Sequence, residues 1–426
     1  MLITIYSNFY KRSIKKGTTL CDLPIGYFSR LLGITLILFI QFANAKSPLP
    51  ICSSHLSTTT QIVKLGMSTA LSGPLQYNGI PMSEGVLKKI DEANCDTFWR
   101  NKGIQFELKI LDDSYDPDTA ANNTRILIKK EKVIALVGNV GTPTAEKTWK
   151  IANESRVVFY GALSGSTILR LKPPAPYVFN YRPGYDQELN SVVNNIIDKG
   201  IPITAIGVLF QNDAFGKSGL ESLHKALEKK CGECKNRILL MHYERNNLKT
   251  NKALQEFITF ERKPKAIILI ATLEPMTEFI RFAQRLAPSS QFYGLSTIDA
   301  INLRKKLNGH VNNISLSQFL PKKSNVPISE KVPITENTIT LSAAYQEGYL
   351  ATELLIDSMR TINGPITSES LRNSLIVKER TLPGDPNDHQ MISTIWLMPL
   401  HDEKADTIEI KKGNLDVKKD APHEQL

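Results

Sequence analysis

A regular alternation of strand and helix patterns constrains the fold of this chain more than any other feature, and it begins near residue 61. Short apolar runs at 62–68, 104–111 and 205–210 are typical of buried strands, and segments with apolar residues at helical spacing lie between them. Strands that alternate with helices form βαβ units, which build parallel sheets. The pattern therefore predicts an α/β protein.

A proline cluster divides this pattern into two sets. Residues 172–176 read KPPAP, and three prolines in five residues prevent a helix from continuing. A second set of alternating strands and helices then runs from about residue 186 to 295. Two such sets predict two lobes, each a mostly parallel sheet flanked by helices.

Two prolines mark predicted helix starts in the first set. Proline favours the first position of a helix, because its missing amide has no acceptor there in any case. The first helix is therefore predicted to begin at Pro81. Asp116 is predicted to cap the next helix, which begins at Pro117.

The N-terminus has the three-part layout of a secretory signal peptide. Basic residues between Lys11 and Arg30 precede the apolar run 31–42, and Ala43-Asn44-Ala45 follows as a cleavage site. Residues 1–45 are therefore predicted to be removed during export to the periplasm. An uncleaved membrane anchor is the alternative, although the apolar run is shorter than the ~20 residues that span a bilayer.

Charge and motifs argue against several classes of function. The net charge is +10, but the basic residues are scattered among acids, so no nucleic-acid surface is predicted. No Gly-x-Ser-x-Gly elbow, phosphate-binding loop or His-Glu-x-x-His motif occurs, and the seven histidines form no cluster. The chain is predicted not to be an enzyme and to use no cofactor or metal. A hydrolase built on Ser164 is the less favoured alternative.

Four cysteines follow the predicted signal peptide, an even number that suits an oxidising compartment: Cys52, Cys95, Cys231 and Cys234. Three pairings are possible. Cys52 precedes the first strand and is able to reach Cys95 at the end of the first helix, which would leave Cys231 to pair with Cys234. A zinc site at the Cys-x-x-Cys, with His224 and His242, is the alternative, but a structural zinc needs four ligands.

Six local motifs in a fixed order resemble one protein family. They are STALSGPL at 68–75, LDDSYDPDTA at 111–120, VGNVGTP at 137–143, GALSGS at 161–166, FNYR at 179–182 and FQNDAFGKSG at 210–219. Together they are similar to the type I periplasmic solute-binding proteins of ABC importers, in the leucine/isoleucine/valine-binding branch. The resemblance covers about residues 62 to 396.

This resemblance implies a bilobed receptor of the periplasmic binding protein type I fold, whose lobes are joined by a three-strand hinge and close over a ligand. The first lobe would comprise residues 46–182 and 319–383. The second would comprise 183–318 and 384–426, with a charged C-terminal tail. The crossings are expected near Arg182, near Ser317 and near 383–388.

Ligands of open α/β sheets bind at the carboxyl ends of the strands, near helix N-termini. In the first lobe this rule and the family's pattern indicate Gly141 and Thr142 as groups that hold an anion. The family's pattern also indicates Tyr77 as an aromatic wall, with a packing role as the alternative. Ala162 and Ser164 follow the next strand and are expected to face the same point. The alternative is that these hydroxyls only cap helices.

Four further residues complete the predicted ligand site. Arg182 is a candidate partner for a ligand anion, with an ordinary surface ion pair as the alternative. Phe215 stands where many relatives carry a tyrosine, so an apolar contact remains and a hydrogen bond is lost. Thr272 and Ser296 follow two strands of the second lobe.

Acidic residues near these loops are predicted to have structural roles. The cluster Asp112, Asp113, Asp116 and Asp118 lacks the glycine and distal glutamate of a calcium loop, so turns and caps are favoured over a metal site. Asp213 and Asp299 are predicted to cap helices. Amino-acid-binding relatives place an acid just after Gly294 to pair with the ligand ammonium, and this chain has none there, which puts an α-amino acid ligand in doubt.

The sequence thus predicts a monomeric exported receptor. It would capture a small molecule that is amino-acid-like, a carboxylate or amide, or a more apolar solute, and deliver it to the permease of an ABC importer in the inner membrane. The ligand-sensing subunit of a signalling system is the alternative, since one fold hosts unrelated functions.

Overall fold

The computed structural model describes residues 61–232, 237–320 and 342–401, together with the short strands Thr338–Thr340 and Thr407–Glu409. The predicted signal peptide lies outside the described residues, as do Cys52 and Cys234. Among the helices that are described, none combines the length and the apolar character that crossing a membrane requires.

Five parallel strands form the first sheet, in the spatial order β2-β1-β3-β4-β5. The strands are β1 (Gln61–Thr69), β2 (Ile104–Asp112), β3 (Ala135–Val137), β4 (Val158–Tyr160) and β5 (Val178–Phe179). The helices between them are α1 (Gln76–Cys95), α2 (Thr97–Asn101), α3 (Pro117–Lys129) and α4 (Thr142–Glu154). Helices on both faces bury the apolar strands, as the alternating sequence pattern predicted.

Six strands form the second sheet, in the order β12-β10-β9-β8-β6-β7, with only β12 antiparallel to its neighbour. The strands are β6 (Ile206–Gln211), β7 (Leu239–Tyr243), β8 (Ala266–Ile270), β9 (Gln291–Gly294), β10 (Ile314–Gln318) and β12 (Trp396–Pro399). The helices are α5 (Tyr185–Asp198), α6 (Ala214–Glu228), α7 (Asn251–Thr259), α8 (Leu273–Leu286) and α9 (Ala300–Leu307). The strands Thr338–Thr340 (β11) and Thr407–Glu409 (β13) pair separately.

The chain returns to the first sheet late in the sequence. Helices α10 (Ala343–Met359) and α11 (Ser368–Glu379) bring Leu355, Met359 and Leu371 into the same apolar core as Val63 and Leu65 of β1. The chain therefore passes between the sheets three times: after β5, after β10 and after α11. The two sheets with their helices are two lobes, called the first and the second lobe below.

The first and third crossings pair with each other through backbone hydrogen bonds. The Asn180 amide donates to the His389 carbonyl at 2.7 Å, and the Met391 amide donates to the Asn180 carbonyl at 2.8 Å. Arg170 is buried beside them and donates to the carbonyls of Ser166 (3.0 Å) and Arg182 (2.8 Å). Burial lowers the pKa of this guanidinium to about 10, so the cation remains charged while it ties a first-lobe loop to the hinge.

The predicted start of the first helix at Pro81 is wrong, because α1 begins at Gln76 and contains Pro81. Tertiary packing accounts for the extra turn: a Cβ atom on Gly79 would lie 1.9 Å from the Ala70 carbonyl oxygen, so only glycine lets this turn approach the end of β1. The other prediction is confirmed. Helix α3 begins at Pro117, and Asp116 Oδ1 accepts from the Thr119 amide at 2.8 Å.

Two of the four cysteines lie in described parts of the chain. Cys95 is the last residue of α1, and Cys231 lies shortly after the end of α6. Their proposed partners are outside the described residues, so both disulfides remain predictions.

Candidate functional site

A small cavity lies where the carboxyl ends of strands from both sheets face each other. Its lining comes from loops or helix starts after seven parallel strands and from the start of α5: Leu75, Asn78, Tyr115, Gly141, Thr142, Leu163, Tyr185, Phe215, Ala271, Thr272, Thr297 and Ile298. About 20 Å³ is open to the centre of a water-sized sphere, which is room for about one water molecule. This is the position that the strand-end rule predicts for a ligand.

Gly141 and Thr142 form the first-lobe wall at the start of α4. Gly141 has φ = 101°, and a Cβ atom built on it would lie 2.4 Å from Tyr115 Cε2, so backbone conformation and packing both require glycine. Thr142 Oγ1 lies 2.8 Å from Ser164 Oγ and 3.1 Å from Tyr185 Oη. These hydroxyls form a buried network that links the first lobe to the first helix after the hinge.

A tight turn built by acidic residues presents Tyr115 to the cavity. Ser114 and Tyr115 have φ values of 52° and 61°, a left-handed conformation that is unfavourable outside glycine. Asp112 Oδ1 accepts from the Leu71 and Ser114 amides at 2.9 Å each, and Asp113 Oδ1 accepts from the Tyr115 amide at 3.0 Å. Asp112 and Asp113 thus stabilise the turn by accepting hydrogen bonds from backbone amides, as predicted. Within the described residues no group of three or more His, Cys, Asp or Glu side chains is placed to hold a metal ion.

Burial raises the pKa of Asp113 to about 6. Because the folded state holds this proton more tightly than the unfolded chain does, the contribution of Asp113 to stability is full below about pH 4 and is lost as the pH rises through about 6. Between pH 4 and pH 7 the free energy of unfolding should therefore fall by about 2 to 3 kcal/mol less in Asp113→Asn than in the unaltered protein. Urea unfolding at both pH values measures this difference.

The control for this pH experiment is Asp118→Asn, at the second residue of α3. Asp118 has 86% of its side chain exposed and contacts only Lys147 at 3.4 Å among its ion pairs in the described residues. Its replacement should leave the pH dependence close to that of the unaltered protein. Equal pH slopes for Asp113→Asn and the unaltered protein would contradict a buried, proton-holding Asp113.

Phe215 and Thr272 form the wall on the second lobe. Asp213 Oδ1 accepts from the Phe215 amide at 2.9 Å, which confirms its predicted role as the cap of α6. The Phe215 ring is buried, with its centroid 5.7 Å from that of Tyr185. The Thr272 amide donates to Tyr243 Oη at 2.8 Å, so a buried tyrosine fixes the start of α8.

The loop after β9 closes the cavity without presenting an acid. Thr297 and Ile298 line the space, and the Thr297 carbonyl accepts from Asn78 Nδ2 of the first lobe at 3.0 Å. The Ser296 amide instead donates to Glu188 Oε2 at 2.9 Å, away from the lining. Asp299 Oδ1 accepts from the Asn302 amide at 2.7 Å, so it caps α9, as predicted.

Arg182 is engaged in a buried ion pair with Glu347 of α10. Its Nε and Nη2 donate to the two carboxylate oxygens at 3.0 and 2.9 Å, and both side chains are 1% exposed. Neither residue lines the cavity. The alternative of an ordinary surface pair is wrong, because both side chains are buried in the hinge region, and a ligand role of Arg182 stays a prediction.

The structure brings four of the nine predicted ligand residues to the cavity wall: Gly141, Thr142, Phe215 and Thr272. Ser164 does not line the cavity but is hydrogen-bonded to Thr142, which does. Ala162 packs into the core on the α3–α4 side of the first sheet. Tyr77 packs against the second-lobe core, with Lys306 Nζ 5.2 Å from its ring centroid. Arg182 and Ser296 belong to the hinge contacts described above.

Sequence reasoning missed four polar residues of the wall: Asn78, Tyr115, Tyr185 and Thr297. A signal for Tyr115 was present, because it directly follows the acids at the end of β2 and so meets the strand-end rule. Asn78 was missed because the first helix was predicted to begin at Pro81. The helix begins at Gln76 instead, and Asn78 therefore lies in its first turn. Tyr185 begins the first helix of the second lobe and reaches back to Thr142, a contact with no local sequence pattern.

The two lobes touch each other directly around this cavity. Gln211 Nε2 donates to Tyr115 Oη at 2.9 Å, and Arg245 Nη1 donates to the Tyr115 carbonyl at 3.1 Å. Ser166 Oγ lies 2.7 Å from Ser218 Oγ. The structure therefore represents a closed arrangement, and entry of a solute requires the lobes to separate.

Two α/β lobes, a three-strand hinge and a cavity between facing strand ends define a bilobed ligand-binding protein. The family model described as periplasmic binding protein matches residues 62–405. The chain belongs to this family. It is a binding protein and not an enzyme, and membership of the family implies a periplasmic location.

Solved structures support the same fold. A possible leucine/isoleucine/valine-binding protein from Rhodopirellula baltica SH 1 is 29% identical with a TM-score of 0.74, over 84% of this chain and 98% of that one. A substrate-binding periplasmic protein from Ralstonia solanacearum is 23% identical with a TM-score of 0.67, over 82% and 100%. A branched chain amino acid ABC transporter from Thermus thermophilus with bound valine is 15% identical with a TM-score of 0.65, over 82% and 96%. No curated protein matches the chain.

Proposed function

We propose that this protein captures a small solute between its two lobes and delivers it to the permease of an ABC importer. The cavity carries the proposal, because its wall combines residues from both lobes, such as Thr142 of the first and Phe215 of the second. A ligand that contacts both walls stabilises the closed form over the open form. The solute is amino-acid-like, a carboxylate or amide, or more apolar, and the protein acts as a monomer.

The names of the structural neighbours support the same proposal. One is called a possible leucine/isoleucine/valine-binding protein, and another is a branched chain amino acid ABC transporter with bound valine. We propose that the lobes consist of residues 46–182 with 319–383, and of 183–318 with 384–426. The residues at the cavity wall, with Ser164 directly behind Thr142, are the proposed ligand-binding residues.

Capture of a solute is testable by thermal shift. A library of amino acids, acyl amides, aromatic acids and lipids is expected to contain a compound that raises the melting temperature, because a ligand that binds only the folded state stabilises it. Phe215→Ala should weaken binding of that compound about 10-fold to 100-fold, since it removes one apolar wall. The matched control is Phe260→Ala, at a phenylalanine that is 37% exposed on the surface.

A protein that no compound in the library stabilises, and that releases no solute on denaturation, would contradict the receptor proposal. Delivery is tested separately by cross-linking the ligand-bound protein in cells. Capture of an ABC permease supports transport, whereas capture of a sensor kinase would contradict it and favour a signalling role.

The mature form is part of this proposal. We propose that cleavage after Ala45 releases a chain that begins at Lys46, with disulfides between Cys52 and Cys95 and between Cys231 and Cys234. The intact mass of the exported protein, before and after reduction, measures both features. A mass that retains residues 1–45, or that does not change on reduction and alkylation, would contradict them.

A further inference from the structure

The cavity wall carries no charge. Among the described residues that line it, six have apolar or no side chains, and the other six are neutral and polar: Asn78, Tyr115, Thr142, Tyr185, Thr272 and Thr297. An α-amino acid brings both an ammonium and a carboxylate. In a wall of this composition neither group meets an oppositely charged side chain.

Four charged side chains close to this region, Arg182, Glu188, Asp213 and Arg245, make hydrogen bonds within the protein. Arg182 Nε and Nη2 are held by Glu347, and Glu188 Oε2 accepts from the Ser296 amide and from the Ser317 hydroxyl. None of these residues borders the cavity. Asp213, on the far side, accepts from two helix amides and from Gln211 Nε2. Arg182 Nη1 and Glu188 Oε1 are buried without a hydrogen-bond partner, but neither atom belongs to a residue of the cavity wall.

One neutral group on the wall lacks a partner. The Thr297 hydroxyl oxygen is inaccessible to solvent and makes no hydrogen bond in the structure. A buried hydroxyl without a partner costs free energy, and a neutral donor or acceptor on a ligand removes that cost. The apolar wall opposite, which includes Leu75 and Phe215, suits an aliphatic or aromatic body.

The free-energy cost of removing water from a ligand distinguishes between the classes of ligand. A buried unpaired ion loses several kcal/mol of hydration, whereas a neutral carboxamide or hydroxyl loses much less and recovers it through hydrogen bonds. The closed cavity has room for about one water molecule, so a solute fits only when the lobes stand further apart than they do here. We infer that the walls of this cleft then select an uncharged small solute, an apolar body that carries one carboxamide or hydroxyl group, over α-amino acids. This inference rests on the proposed function, because it names the ligand class of the same site.

Five compounds with one branched aliphatic body test the inference: 4-methylpentanamide, 4-methylpentan-1-ol, 4-methylpentanoate, 3-methylbutylammonium and L-leucine. Calorimetric titration of the mature protein at pH 7, after unfolding and refolding to remove retained solute, gives their affinities. The amide or the alcohol is expected to bind about tenfold or more tightly than each charged compound. Equal or tighter binding of leucine or of either ion overturns the inference.

A variant adds a second, independent readout. Thr297→Asp places a carboxylate on the wall and is expected to raise the affinity for 3-methylbutylammonium, relative to the amide, about tenfold. Thr259→Asp, at an exposed position on α7, is the matched control and should leave this ratio unchanged. An unchanged ratio in Thr297→Asp would place the ligand elsewhere and overturn the inference.

The solute that the purified protein retains gives a direct answer. Mass spectrometry of the material released by denaturation is expected to show a compound without formal charge at pH 7, and an amino acid or other ion overturns the inference. Failure of the proposed function looks different. In that case no compound of any charge class stabilises the protein and no solute is released.

Discussion

Replacing Glu347 with glutamine is expected to lower the free energy of unfolding by about 3 to 5 kcal/mol, because it leaves the Arg182 guanidinium buried without its carboxylate. A guanidinium gives up its proton only far above neutral pH, so the folded protein must keep the charge near pH 7. Urea unfolding followed by tryptophan fluorescence measures the loss. This is the largest effect that we expect from a single substitution outside the apolar core.

The reverse replacement should be milder. Arg182→Met leaves Glu347 buried, and burial already raises the pKa of this carboxyl group. The group is therefore able to take up a proton in place of its lost partner. Arg182→Met combined with Glu347→Leu is expected to restore stability to within about 1 kcal/mol of the unaltered protein, since buried ion pairs contribute little beyond a well-packed apolar pair.

The exposed pair between Lys225 and Glu221 on α6 is the matched control. Its two charged atoms lie 2.7 Å apart, and more than half of each side chain is exposed. Glu221→Gln should change stability by no more than about 0.5 kcal/mol. If Glu347→Gln had an effect as small as this control, the buried pair would not be closed in solution.

Replacing Gly348 with leucine is expected to cost about 3 kcal/mol or to prevent folding, because α10 crosses α1 at backbone distance. A Cβ atom on Gly348 would lie 2.4 Å from the Met82 carbonyl oxygen, and one on Gly85 would lie 2.1 Å from the Tyr345 carbonyl oxygen. Each helix thus presents a glycine to the backbone of the other, and neither backbone can move without displacing the core between them.

Gly348→Ala separates steric conflict from helix propensity. Alanine favours a helix over glycine by about 1 kcal/mol, so a surface site would be stabilised by this change. At Gly348 we expect a net loss of about 1 to 2 kcal/mol in urea unfolding instead. Gly232→Ala, where a Cβ atom would meet nothing within 4 Å, is the control and should fall within about 0.5 kcal/mol. A gain in stability for Gly348→Ala would contradict the close crossing.

Much of the fold was predictable from sequence because its signals are local. Buried parallel strands such as β8 are continuous apolar runs in the sequence, and the start of a helix such as α3 is marked by a capping residue and a proline. The short strand β5 and the antiparallel β12 have no such signal. Their residues become strands only because a neighbouring strand supplies hydrogen bonds.

The candidate site was predictable in part for the same reason. Gly141 and Phe215 sit in strand-to-helix turns, where one lobe alone determines the position. Arg182 could not be assigned from its own segment, because its partner Glu347 lies 165 residues away on a helix that returns from the second lobe. The same holds for Tyr185, whose hydroxyl meets Thr142 across the hinge.

The late return of α10 and α11 has a consequence for folding during synthesis, when the chain emerges N-terminus first. Until residue 343 and those after it have emerged, the core around α1 and β1 lacks the cover of α10 and α11, whereas the second sheet lacks only its edge strand β12. Since domains fold as units once their elements are available, the middle of the chain is expected to fold before its beginning. A truncated chain that ends near residue 340 should therefore show a protease-resistant core from the middle of the sequence and a digested N-terminal part.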